Sequence, residues 1–272
     1  MLRRILTFIS VAAAVVSCGP GGRLKDAQPG VEKAGNTLNI ATYNVGVFNK
    51  SGSNSMEMVA AMMKEWDLDI LGLNELDSCN TRSGSSVHQL RDFASKMGGW
   101  SYNFAAAIPF RSGTYGIGAV SRMKPVNCIS IKLPKADDKE VRALSVMEFD
   151  RLVFCNTHLG LTSKAQAGQV AAILEFIEAR YNGDNRPVIL CGDMNAEPGS
   201  ATLKALEADW EQLSATDMTF STSNPSKCID YIFRFKRAGK CSAESSFVGR
   251  KFTNGDTKTA SDHFPVFARI KL

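Results

Sequence analysis

The chain has 272 residues, 44% of them hydrophobic and 22% charged, a balance that excludes a disordered or fibrous protein and is enough for one large core. The formal charge of +5 is mild, and Arg3, Arg4, Arg23, Lys25 and Lys33 place part of it ahead of the first predicted strand, so it gives little support to a nucleic-acid surface. None of the seven cysteines forms a Cys-x-x-Cys pair, which argues against a zinc site.

Arg3 and Arg4 precede the apolar run Ile5 to Val16, which is too short for a membrane span and suits an export signal. It closes on Val15-Val16-Ser17-Cys18, which resembles a bacterial lipobox. Residues 1–17 then read as a signal peptide and Cys18 as the lipidated N-terminus, with an uncleaved anchor or an ordinary secretory signal as the alternative. Residues 18–37, rich in Gly and polar residues, read as a flexible tether, and residues 38–272 as one domain. The expected location is the cell envelope, on a periplasmic or outer-membrane face, with the membrane contact made through Cys18. Export would allow a disulfide; Cys228 and Cys241 flank one predicted strand, whereas Cys155 and Cys191 sit in apolar strands as small hydrophobes.

Leu38 to Tyr43 alternates as a strand does and delivers Asn44 at its end. Asn54 to Trp66 predicts a helix with Met58, Met62 and Met63 on its core stripe. The buried strand Asp69 to Glu75 ends on a carboxylate, which is costly there unless it meets a cation or a set of donors. A polar loop leads to a helix over Val87 to Met97, where His88 reads as structural or merely exposed. Strands follow over 102–105, 114–121, 126–133, 142–149 and 152–157, in a rhythm that implies antiparallel hairpins. Asn156 and His158 share one face by the strand period of two, so both are expected to point into one site. Ala165 to Tyr181 is an amphipathic helix on Val170, Ile173, Leu174 and Ile177.

The run Val188 to Cys191 is a strand buried on both faces, and Gly192 lets Asp193 and Asn195 project from its carboxyl end. Ser200 is placed to cap a helix through Thr202 to Leu206. Cys228 to Phe233 is a strand carrying Asp230, and Asp262 and His263 precede the last strand. Asn44, Glu75, His158, Asp193, Asn195, Asp230, Asp262 and His263 thus all lie at or near strand ends. Carboxylates, histidines and amides gathered in this way suggest one site, and their oxygens suit Mg²⁺ or Mn²⁺ rather than zinc.

Six stretches in order carry a family resemblance: Thr42-Tyr-Asn-Val, Leu73-Asn-Glu-Leu, Asn156-Thr-His-Leu, Gly192-Asp-Met-Asn, Ile229-Asp-Tyr-Ile and Ser261-Asp-His-Phe-Pro-Val. The sequence resembles the endonuclease/exonuclease/phosphatase superfamily from about Leu38 to Leu272. That resemblance implies a four-layer α/β/β/α sandwich, two packed mixed sheets flanked by helices, with the site at one edge. It implies Glu75 as the principal metal ligand, Asp262 as a further metal-side acid, and Asn44 on both the metal and the phosphate side. Asp193 and Asn195 resemble the pair that orients the attacking water, with Asp193 the base. His158 resembles a phosphate or leaving-group contact, and His263 a phosphate-binding histidine oriented by Asp230. Asn156 is grouped with the substrate contacts, and Arg142, which begins the strand before the Asn-Thr-His motif, is a candidate phosphate ligand. Gly46 stands where abasic-site endonucleases carry a second metal-side aspartate, which argues against that subfamily.

The implied activity is Mg²⁺- or Mn²⁺-dependent hydrolysis of a phosphate ester by in-line attack of an activated water. With no block of basic residues along about 235 residues, a small-molecule or lipid-headgroup ester is favoured over a polynucleotide. An extracellular nuclease is the alternative, and a non-catalytic binding module that kept the fold is the competing class.

Overall fold

The computed structural model describes residues 35–272, so the segment read as a signal peptide, Cys18 and nearly all of the segment read as a tether lie outside the described residues. Twelve strands form two six-stranded sheets. The first contains β1 (Thr37–Asn44), β2 (Ile70–Ser78), β3 (Ser101–Phe110), β4 (Gly113–Ser121), β11 (Ser242–Val248) and β12 (Val266–Lys271) in the order β11-β12-β1-β2-β4-β3. The second contains β5 (Asn127–Leu133), β6 (Arg142–Glu148), β7 (Val153–His158), β8 (Val188–Asp193), β9 (Trp210–Gln212) and β10 (Asp230–Phe235) in the order β5-β6-β7-β8-β10-β9. Both sheets are mixed, because β1 pairs with β2 and β7 with β8 in parallel while the other pairs are antiparallel.

Helices α1 (Met56–Lys64) and α2 (Gln89–Lys96) cover the outer face of the first sheet, and α3 (Ser163–Tyr181) and α4 (Ala201–Asp209) that of the second. A short helix α5 (Thr257–Ala260) precedes β12. Met62 and Met63 are buried under α1 as the stripe predicts, with Met58 packed at the edge. Thr162 and Ser200 cap α3 and α4 through their hydroxyls. His88 caps α2: its Nδ1 accepts from the Arg91 N–H at 3.2 Å, and its ring meets Phe104 edge-on. None of the helices among the described residues is long and apolar enough to cross a membrane.

Period-two alternation divides each central strand between two cores. On β1, Ala41 and Tyr43 face the helices while Ile40 faces the other sheet; on β8, Val188 and Leu190 face the helices while Ile189 and Cys191 face inward. The inter-sheet layer is apolar along most of its length, with Ile40, Ile70, Phe154, Ile189, Ile232 and Val266 among its members. At one end the same inward positions turn polar: Thr42 then Asn44, Asn156 then His158, Asp193, and Asp230. The sandwich therefore carries its chemistry at one edge of the layer between the sheets.

The structure adds to the sequence reading or departs from it in three places. Strands β9 and β11 arise from segments without a strand pattern, and β3 runs to Phe110 rather than Ala105. Cys228 and Cys241 are both free, as are the other cysteines among the described residues. They bracket the six-residue β10, about 20 Å long at the usual rise, whereas a disulfide needs Cα atoms within about 7 Å.

Candidate active site

Register brings three strand ends side by side. His158 on β7 is paired with Asp193 on β8, and Asp193 in turn with Asp230 on β10. From the first sheet, Asn44 on β1 lies beside Asn74 on β2. The β2–β4 ladder shifts register between Leu73 and Leu76, and Glu75 sits inside that irregularity at φ 58°. A left-handed backbone at a bulged, non-glycine position is strained, and it turns the Glu75 carboxylate out of the ladder towards Asn44. The loop ahead of β12 is pinned to the same place, since the Ser261 hydroxyl donates to the Asn44 carbonyl at 2.6 Å and accepts from the His263 N–H at 3.2 Å.

Asn44 joins the two carboxylates from the two sheets. Its Nδ2 donates to Glu75 Oε1 at 3.1 Å and to Asp193 Oδ2 at 3.0 Å, while its Oδ1 accepts from Gly46 N–H at 3.1 Å. Asp193 is 1% exposed. Its backbone N–H donates to Asn74 Oδ1 at 3.2 Å, and its Oδ1 accepts from the Asn195 N–H at 2.9 Å. Burial first, then the neighbouring Asp230 carboxylate, raise its pKa to about 7; His263 and the donors from Asn195 and Asn44 hold it from going higher.

The two histidines are driven in opposite directions. Burial would discharge His263, but the Asp230 and Asp193 carboxylates outweigh it and raise its pKa to about 10. Its Nδ1–H donates to Asp230 Oδ2 at 2.9 Å, which fixes the ring. His158 is pushed well below the usual histidine range by burial, then by the charges of Arg142 and His263. Its Nδ1 lies 3.4 Å from Arg142 Nη1, and a guanidinium only donates, so the neutral ring carries its proton on Nε2. His158 Nε2 and His263 Nε2 approach Asp193 Oδ2 at 3.5 and 3.6 Å, which is ion-pair distance without a hydrogen bond. Arg142 is 6% exposed, and its Nε makes no hydrogen bond.

These groups face a cavity of about 540 Å³ that Glu75, Arg142, His158, Asp193, Asn195 and His263 line, with Asp262 at its rim. Two aromatic rings also reach it, Tyr115 beside the Glu75 bulge and Phe220, whose ring packs 4.9 Å from that of His263. Asn156, expected among the substrate contacts, lies deeper. Its Nδ2 donates to Leu73 O at 2.9 Å and Gly118 O at 2.7 Å, both on the opposite sheet. Gly72 permits that crossing, since a Cβ there would stand 2.8 Å from Asn156 Oδ1. Arg142, by contrast, is drawn into the cavity wall although a surface arginine is the commoner case.

The sequence reading missed two residues of this region. Asn74, next to Glu75 in the same motif, holds the Asp193 backbone and the Thr157 carbonyl, the latter at 2.8 Å. Lys50 lies in a loop without a motif, yet its ammonium stands 3.6 Å from Glu75 Oε2 and 3.0 Å from Asp262 Oδ2. Burial alone would lower the Lys50 pKa, but these two acids raise it.

Two acid groups compete as a place for a divalent ion. Asp193, Asp230 and His263 bring ligand atoms within 4.8 Å of one another, but His263 Nδ1 and Asp230 are already joined by a hydrogen bond. Glu75 and Asp262 fit better: both reach the cavity, both offer hard oxygens, and both are balanced by a flexible cation. Asn44 turns its NH₂ towards Glu75, so it supports that carboxylate and does not offer it an oxygen ligand beside it.

A two-sheet sandwich with strand-end carboxylates and histidines converging on one cavity defines a deoxyribonuclease-like α/β hydrolase class. Residues 41–263 match the Endonuclease/Exonuclease/phosphatase family, and the chain belongs to it. No curated protein gives a significant match to the sequence. Among solved structures, the mannosyl-6-phosphatase of Bacteroides thetaiotaomicron VPI-5482 is 20% identical with a TM-score of 0.68, over 86% of this chain and 100% of that one. An endonuclease/exonuclease/phosphatase from Bacteroides vulgatus is 18% identical with a TM-score of 0.70, over 87% and 99% of the two chains. The human Nocturnin catalytic domain with bound sulfate is 17% identical with a TM-score of 0.66, over 89% and 95%. At these identities the likeness carries the fold.

Proposed function

We propose that the protein hydrolyses small phosphate esters by in-line attack of a water molecule that Asp193 deprotonates. One observation carries this reading above the others: two imidazole nitrogens, His158 Nε2 and His263 Nε2, lie beside a buried carboxylate of raised pKa without a hydrogen bond of their own. Such an arrangement suits an anion with several acceptor oxygens. A carboxylate poised near neutrality is matched to accepting a proton from water. His263, charged and fixed by Asp230, offsets the charge that builds on the non-bridging oxygens. Neutral His158, its proton on Nε2, is a donor to the phosphate or the leaving oxygen. Arg142, whose charge is shared with Asp138 and Glu140 at 4.0 and 3.5 Å, stands in the wall beside His158. Asn195 orients Asp193 through its backbone N–H.

Glu75 and Asp262 are the residues that would hold Mg²⁺ or Mn²⁺, and the bound ion would supply further positive charge to the phosphate. A non-catalytic binding module is a poor account of this site. It would have no use for one histidine held charged and another held neutral on either side of a single carboxylate.

A small ester is favoured because the cavity, of about 540 Å³, is of the size of a small ligand, and the sequence carries no block of basic residues that would track a polynucleotide backbone. The fold shared with a mannosyl-6-phosphatase is in keeping with that choice. The sequence Val15-Val16-Ser17-Cys18 supports a lipid anchor in the cell envelope. The tether joins the fold at Thr37, and the site lies beyond Asn44 at the other end of the eight-residue β1, about 25 Å away. A flexible tether over residues 18–37 leaves both a soluble ester and a lipid headgroup within reach.

The test is a panel of plasmid DNA, RNA, sugar phosphates, inositol phosphates and phospholipid headgroups, at fixed Mg²⁺ and two salt concentrations. Turnover of a small ester with little salt dependence is expected. Plasmid nicking that weakens steeply with salt, without turnover of small esters, would replace this reading with an extracellular nuclease. Full activity in excess chelator would remove the metal from it. Replacing Cys18 by Ser should release the protein from membranes, and unchanged membrane binding would refute the lipid anchor.

A further inference from the structure

We infer that Lys50 is a resident cation of the Glu75 and Asp262 carboxylates, that a divalent ion must displace it to bind, and that the missing side chain at Gly46 is what admits it. The inference rests on the reading of Glu75 and Asp262 as the metal-side acids. It assigns to Lys50 the setting of metal affinity.

The 3-10 turn Gly46–Phe48 follows β1 and carries the chain away from the site, and Lys50 returns to it only by its side chain. The stem of Lys50 lies directly over Gly46. A Cβ at Gly46 would stand 2.2 Å from Lys50 Cε, 2.3 Å from Cγ and 2.7 Å from Cδ, so a side chain there would force the lysine stem out of its present path. Gly46 also sits at φ 51°, which disfavours other residues. The stem therefore occupies a slot that exists only because position 46 is glycine.

The slot ends between two like charges. Without a cation, Glu75 and Asp262 would repel each other at the cavity rim. Glu75 otherwise receives the amide of Asn44, and Asp262 has only a long contact with the Ser261 hydroxyl at 3.5 Å. Lys50 is the cation that both acids touch.

Its hold is exchangeable. The side chains of Lys50, Glu75 and Asp262 are 35%, 22% and 34% exposed, so solvent screens the pairs and each is weak. Four rotatable bonds let the ammonium swing out. A divalent ion carries twice the charge and takes oxygen ligands at shorter distance than an ammonium does. The ion therefore wins, with its apparent affinity reduced by the fraction of molecules in which Lys50 has already left. The same device keeps the acids paired when no ion is present, so the fold does not carry an unbalanced carboxylate cluster.

The experiment measures Mn²⁺ binding to chelator-stripped full-length protein, by the electron paramagnetic resonance signal of free Mn²⁺, for the parent, Lys50→Met, Gly46→Ala and Lys139→Met. If the lysine is in place about nine-tenths of the time, Lys50→Met should tighten Kd on the order of tenfold. Gly46→Ala should move Kd in the same direction by crowding out the stem. Lys139, also on the cavity wall but not paired with these acids, should change it less than about twofold. Thermal melts in chelator give a second reading: Lys50→Met should melt lower than the parent without metal and gain more on adding Mn²⁺.

Unchanged or weaker Mn²⁺ binding by a folded Lys50→Met would overturn the inference. An equal gain from Lys139→Met would do the same, because the effect would then be one of general charge. Absence of Mn²⁺ binding by every variant would defeat the metal reading itself, and the inference with it.

Discussion

Asn156 and His158 stand two residues apart on the same face of β7, and both are buried. Asn156 is held by backbone carbonyls of the opposite sheet. His158 is surrounded by a guanidinium, a carboxylate and a second imidazole. The difference is depth in the layer between the sheets. One step inward, a polar side chain is satisfied by neutral groups and locks the two sheets in register. At the rim, polar side chains satisfy one another through charge and keep donors free for a ligand. Asn74 and Glu75 repeat the contrast on β2, where the bulge separates an inward amide from an outward acid.

The largest effect that sharpens this contrast should come from Asp193→Asn. It removes the base from the rim while keeping the shape, and should lower kcat/KM by about a thousandfold or more on the best ester of the panel. Its melting temperature should stay within a few degrees of the parent, because the neutral amide needs less solvation than the buried carboxylate. A variant that keeps a tenth of the activity would mean another group takes the proton. Next, Asp230→Asn and His263→Ala should each lose on the order of a hundredfold, and the double variant little more than the worse single one. Losses that multiply would show that the pair does not act as a unit.

A smaller loss, of stability and not activity, is expected one step inward. Asn156→Ala strands two buried carbonyls and should lower the unfolding free energy in urea by about 2–4 kcal/mol. The kcat/KM of the folded fraction should stay within about threefold. A stable but inactive Asn156→Ala would break the comparison and return Asn156 to the substrate contacts.

How far the sequence revealed this layout follows the same logic. The apolar runs that end on Asn44, Glu75, His158 and Asp193, and the one that Asp230 begins, were legible because a polar or charged group at the end of a buried strand is conspicuous. Alternation also told which face each residue takes. It did not tell depth, so Asn156 was assigned to the site along with His158. Strand β11, Ser242 to Val248, is an edge strand whose first half is Ser, Ala and Glu and whose pattern is that of a loop. Strand β9 has three residues, too few for a period. Lys50 was illegible for a different reason. It reaches the site across the surface of Gly46, through a side chain and not through strand register, and no spacing rule encodes such a path. The sequence left the pairing of Cys228 and Cys241 open, and both are free because nearness in sequence around a strand is distance in space.

The smallest expected effect concerns pH and the metal-free protein. His263 has its folded pKa raised from 6.5 to about 10. The stability it contributes is fully present below pH 6.5 and is lost as pH rises through about 10. Asp193, raised from 3.8 to about 7, keeps a proton in the fold that the unfolded chain has released, so its part of the pH dependence lies between those values. Removing His263 alone would confuse the two, since its charge is one of the influences that lower the Asp193 pKa. The comparison therefore belongs in the Asp193→Asn background, where Asp230 still holds the imidazole charged, although loss of the Asp193 charge moves the fall in stability to lower pH than in the parent. In chelator, the melting temperature of Asp193→Asn should fall between pH 7 and 9.5 more steeply than that of Asp193→Asn with His263→Gln. The window stops short of the range where buried Tyr43 and Tyr115, both raised mainly by burial, begin to matter. Parallel melting curves for the two proteins would mean that Asp230 alone does not hold His263 charged in the fold, and the charged rim would then depend on Asp193.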